Sequence, residues 1–168
     1  MKKISILGAS LLSMIAFVTV MFFHSCTKDD CQDVVCLNGG TCVSGTCECA
    51  LGYEGADCTT KSNDKFAGTW VAADVCGSGA YSYNSTISSS ATSANGVLIN
   101  NFGGFGTNLT ASATVEGSTL TIPSQDLGGI LISGSGTIST DGNSLQMTYT
   151  ALDSAGNTDV CSGSWVKQ

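Results

Sequence analysis

Six cysteines fall within one short segment, CQDVVCLNGGTCVSGTCECALGYEGADC, at positions 31, 36, 42, 47, 49 and 58. A piece of chain this short cannot bury enough apolar surface to fold alone and needs covalent staples. Six cysteines allow fifteen pairings, and counting alone does not choose among them. Cys26, Cys76 and Cys161 bring the total to 9, an odd number. In an exported chain the odd cysteine pairs elsewhere or serves other chemistry.

The N-terminus reads as an export signal. Lys2 and Lys3 precede an apolar run over residues 4–23, and the small residue Ser25 stands directly before Cys26. Basic, apolar and small is the order of a cleaved leader. A retained membrane helix is the competing reading of the same run, which is long enough to cross a bilayer. The Ser25-Cys26 step resembles a bacterial lipoprotein signal, although Phe23 and His24 are bulkier than the usual residues there. The resemblance implies a signal peptide over 1–25 and acyl chains on Cys26, with a membrane as partner. Residues 26–30 then form an acidic tether. Thr27-Lys28-Asp29-Asp30 is similar to the sorting signals of some Gram-negative surface lipoproteins, which implies an outer-membrane, cell-surface location. Two or more acyl chains make such attachment stable.

With Cys26 acylated, eight cysteines remain. The run CLNGGTC, then CEC, then GYEG before the last cysteine resembles an EGF-like domain over residues 31–58. That resemblance implies Cys31–Cys42, Cys36–Cys47 and Cys49–Cys58. Some EGF-like domains bind calcium, and Asp29, Asp30 and Asp33 cluster near the first cysteine as weak oxygen-ligand candidates. Ser44 and the lack of an aromatic between Cys42 and Cys47 depart from the calcium-binding subgroup, so a solvated acidic linker is the preferred reading and no metal or cofactor is expected.

Residues 59–65, TTKSNDK, read as a polar linker. Residues 66–168 are rich in Gly, Ser, Thr and Asn and nearly free of charge. Apolar residues recur there at period two: Leu109, Ala111, Ala113 and Val115, then Leu145, Met147, Tyr149 and Ala151, and Ile130, Ile132 and Ile138 across Gly134 and Gly136. Such alternation predicts half-buried antiparallel strands. Eight are expected, over 67–76, 81–91, 96–102, 108–116, 118–124, 129–140, 143–152 and 158–167. The fold class is therefore mainly β, with an eight-stranded antiparallel meander barrel; a flattened β-sandwich is the alternative. Closing an even-numbered meander sets its first and last strands side by side, where Cys76 and Cys161 would pair. Gly68-Thr69-Trp70 on the first strand, with Lys167 on the last, resembles the base of a lipocalin-like barrel.

Composition narrows the function. After loss of the leader the chain has four lysines against 13 acidic residues, with no arginine and no histidine. Nucleic acid is not expected as a partner, since a phosphate backbone needs a clustered basic surface. Catalysis is not expected either, because no histidine or free thiol remains to tune. Candidate ligand residues are Asn100, Asn101, Phe102 and Phe105 of the loop NNFGGFG, whose rings and amides suit a sugar, with Tyr81, Tyr83 and Tyr149 either lining or plugging the barrel. Asp153-Ser154-Ala155 resembles a short bacterial O-glycosylation motif, which implies a glycan on Ser154. The expected function is a non-enzymatic binding or interaction module, an EGF-like spacer presenting a barrel. The alternatives are a carrier of a small apolar or sugar ligand and a structural or adhesion protein, and the partner is a protein, a glycan or a small apolar molecule.

Overall fold

The computed structural model describes residues 30–168. Ser25, Cys26 and Asp29, and with them the expected leader and most of the expected tether, lie outside the described residues. The first part of the described chain is rich in disulfides and short on regular structure. It holds four brief strands: β1 (Thr41–Val43), β2 (Thr46–Glu48), β3 (Tyr53–Glu54) and β4 (Thr60–Lys61). β1 pairs with β2, and β3 with β4, all antiparallel. Crosslinks join Cys31 to Cys42, Cys36 to Cys47 and Cys49 to Cys58. Cys42 and Cys47 face each other across the β1–β2 pair yet belong to different disulfides, so one hairpin is tied to two other loops.

Residues 59–65, expected as a polar linker, carry regular structure and buried side chains. β4 lies within them, and Ser62 and Asn63 are buried. The Asn63 amide donates to the carbonyls of Ser93 and Gly96, at 3.1 and 2.8 Å. A polar side chain is buried there because it satisfies backbone acceptors of a neighbouring turn.

Eight strands follow: β5 (Gly68–Cys76), β6 (Gly79–Ser89), β7 (Gly96–Asn100), β8 (Thr110–Glu116), β9 (Thr119–Asp126), β10 (Leu131–Ile138), β11 (Ser144–Leu152) and β12 (Thr158–Lys167). Each pairs antiparallel with the next, and β12 returns to β5, so the sheet is a closed barrel and not a sandwich. Cys161 is registered directly opposite Cys76 across that closing seam, and the two form a disulfide.

The alternation read from sequence is the inside–outside pattern of the wall. Trp70, Ala72 and Asp74 point inward from β5, Leu145, Met147 and Tyr149 from β11, and Ala111, Ala113 and Val115 from β8. The interior is packed because bulky inward residues stand opposite glycines. Tyr149 faces Gly134, Met147 faces Gly136, and Asp74 faces Gly163. A Cβ on Gly163 would overlap the Asp74 carboxylate, and one on Gly134 would come within 2.5 Å of the Tyr149 Cβ. These glycines are small because their cross-strand partners occupy the barrel axis, not because a turn needs them.

The two ends differ. One end, the base, is sealed. Phe66 and Trp70 are fully buried, and the Trp70 indole donates to the Phe66 carbonyl at 2.9 Å. The Lys167 ammonium lies 5.4 Å from the Trp70 ring and donates to the Lys65 carbonyl. The disulfide-rich segment packs at this end, with Gly52 against Ala94 and a Lys65–Glu54 ion pair at 2.8 Å.

Candidate functional site: the cleft at the barrel mouth

The opposite end opens into a cleft of about 770 Å3, inside the usual range for small-molecule sites. Its walls come from the ends of β5, β6, β11 and β12 and from the loop between β7 and β8. Tyr81 and Tyr83 enter from β6, Tyr149 from β11, and Phe105 from the loop. Period-two geometry explains this: Tyr83 and Tyr81 continue the inward set of Ile87 and Ser85, one and two steps nearer the mouth.

Beneath the rings lies Asp74, only 1% exposed. Its Oδ1 accepts the Trp165 indole N–H at 2.9 Å. Its Oδ2 accepts the hydroxyls of Tyr83 and Tyr149, at 2.5 and 2.7 Å. Burial raises both phenols well above the usual tyrosine value, and the hydrogen bond and charge of Asp74 raise them further. With their hydroxyls committed to Asp74, these tyrosines offer the cleft ring surface. Tyr83 meets Trp165 edge-on at 5.9 Å between centroids, and Tyr149 meets Phe102 at 4.7 Å.

The rim is acidic. Asp159 accepts from the backbone N–H and the hydroxyl of Ser78, whose hydroxyl also contacts the Tyr81 hydroxyl at 3.0 Å. Asp153 organises the β11–β12 turn. Its oxygens accept the backbone N–H groups of Ala155 and Asn157 and the Asn157 amide, which holds its carboxyl below the usual range. Among the described residues, no lysine lines the cleft.

Of the residues singled out by sequence, Tyr81, Tyr83, Phe105 and Tyr149 converge on the cleft, while three others do not. Phe102 is fully buried and plugs the barrel beneath the mouth. The Asn100 amide donates to the Thr107 carbonyl and the Asn101 amide to the Asn84 carbonyl, so both pin their loop and neither faces a ligand. The reason is local: Asn101 adopts a left-handed conformation that turns the chain into the Phe102–Gly104 3-10 turn, driving Phe102 inward. Trp70 and Lys167 sit at the far end from the cleft. Ser154 is exposed in the β11–β12 turn. Asp30 and Asp33 are exposed, and among the described residues the one metal-capable group of three is Cys76, Asp159 and Cys161, whose sulfurs are already consumed by a disulfide. Sequence reasoning missed Asp74 as a site residue. Its signal was an acid at an inward position of the series Trp70, Ala72, Asp74, Cys76.

Comparison with known proteins leaves the function open. No family model matches the chain, and no curated protein does. Three solved chains match. One is a structural-genomics protein of unknown function from Bacteroides ovatus, 14% identical over 60% of this chain, with a TM-score of 0.42. The match spans 41% of that protein's length.

Proposed function

We propose that this protein is a surface-exposed outer-membrane lipoprotein, anchored through Cys26, that binds a small molecule in the mouth of a lipocalin-like barrel without altering it. The observation that carries this reading is the aromatic cleft of about 770 Å3 at the end of the barrel opposite the disulfide-rich segment. An EGF-like spacer packed on the base directs that cleft away from an anchor attached just before it. Binding here is physical: ring surface stacks on an apolar body, and rim groups orient its polar end.

The test uses the soluble form beginning at Thr27, screened by native mass spectrometry and thermal shift against glycans, lipids and small amines. One-to-one binding is expected from at least one class, with at least a tenfold loss in a Tyr81→Ala/Phe105→Ala double variant. Absence of binding across all classes, or binding that the double variant leaves intact, overturns the reading. Anchoring is tested separately. Acylated protein in the membrane fraction, lost on Cys26→Ser, is expected, and an unmodified Cys26 on a retained leader would overturn it.

A further inference from the structure

We infer that the ligand of the cleft carries an ammonium group on an apolar body, an inference that rests on the cleft being a binding site. Four rings line it, from Tyr81, Tyr83, Phe105 and Tyr149. Ring faces are negative and attract cations. Two rings, Tyr83 and Tyr149, hydrogen-bond the buried Asp74 carboxylate, which polarises them further in the same sense. The rim adds the carboxylates of Asp153 and Asp159.

No cation among the described residues offsets these charges at the mouth. Lys61 lies in β4, Lys65 pairs with Glu54, and Lys167 is held over Trp70, all on the base side. The walls therefore focus a negative field inward, which repels a fatty acid or any other anionic head. A neutral sugar gains nothing from this field, and the Asn157 amide and the Ser78 hydroxyl are already committed to Asp153 and Asp159. Carboxylate oxygens keep lone pairs for an N–H donor after accepting such bonds, and a quaternary head needs only charge and ring faces.

Three probes that share one tail separate the alternatives: octyltrimethylammonium, octyl glucoside and octanoate, each well below its micelle concentration. Isothermal titration of the soluble form is expected to give the ammonium probe at least tenfold tighter binding than the glucoside, with no binding of octanoate. Its affinity should fall at least threefold between low and high salt and in Asp159→Asn, while the glucoside is unaffected by either. Asp153→Asn serves as a second variant if Asp159→Asn misfolds. Glucoside or octanoate binding as tightly as the ammonium, or ammonium binding that neither salt nor either variant weakens, overturns the charge assignment and leaves the cleft a binding site. If none of the three binds, and the wider panel does not either, the cleft reading itself falls.

Discussion

Asp74 is a charged side chain placed where only a complete set of donors makes it tolerable. Three neutral donors supply that set. Removing the acceptor strands its three neutral donors, and a buried donor left without a partner costs about 1–3 kcal/mol, so Asp74→Ala should lower unfolding free energy by at least that amount. Tyr83→Phe, which deletes one donor to a charged acceptor, should cost about 1.5–3 kcal/mol. Urea denaturation of the two variants beside the wild type checks both. The same network carries a pH dependence. Burial and the Asp74 hydrogen bonds raise the folded pKa values of Tyr83 and Tyr149 above the ordinary tyrosine value of about 10. A raised value means that the folded state holds its protons more tightly, so their contribution is fully present below pH 10 and declines as pH climbs beyond it. Urea midpoints should therefore fall above pH 10, and ultraviolet titration should show these two phenols ionising together with loss of structure. Phenolate absorbance from all tyrosines while the barrel remains folded would contradict this.

At the scale of elements, β5 and β12 carry the closure. They are the ends of the meander, and their pairing removes the two edges that an open sheet would expose. The Cys76–Cys161 bond ties them across a sequence separation of 85. A loop of that length implies about 4–5 kcal/mol on the chain-entropy account. A Cys76→Ala/Cys161→Ala variant should lose stability of that order in guanidinium denaturation without reductant; a loss under 1 kcal/mol would mean that pairing alone closes the barrel. The strand-to-glycine pairing is equally local. Gly163→Ala places a methyl group where Asp74 sits, and overpacking of this kind costs about 1–3 kcal/mol. The residue-level and element-level effects meet at this position, so Gly163→Ala and Asp74→Ala should be strongly non-additive.

Across the whole molecule, the disulfide-rich segment and the barrel share one seam. Asn63, fully buried, bridges to the β6–β7 turn through Ser93 and Gly96. Asn63→Ala removes two hydrogen bonds to carbonyls that each keep a backbone donor, at about 0.5–1.5 kcal/mol per bond, and should cost about 1–3 kcal/mol. Limited proteolysis should then cut earlier within residues 59–66, while the mouth stays intact. A variant as stable and as resistant as wild type would show the seam to be incidental. The Lys65–Glu54 pair at the same seam is partly exposed and adds little by comparison.

Much of this arrangement was readable from sequence because period-two alternation and cysteine spacing are local signals. The expected strands 118–124 and 129–140 lie within a few residues of β9 and β10, and the closing disulfide joins the first and last strands, as an even meander requires. Side chains in the loops were not readable. Asn100, Asn101 and Phe102 look alike as free loop residues, yet backbone conformation at Asn101 sends one ring into the core and spends both amides on carbonyls. Residues 59–65 look solvated by composition, yet Asn63 is buried because a distant turn offers it acceptors. Asp74 and Tyr149 stand far apart in sequence but are joined by one hydrogen bond of 2.7 Å. Alternation determines which face of the wall a residue takes. Which residues meet across the barrel, which polar groups find partners, and therefore which end can receive a ligand depend on closure, because only a closed sheet brings distant strands to a common axis.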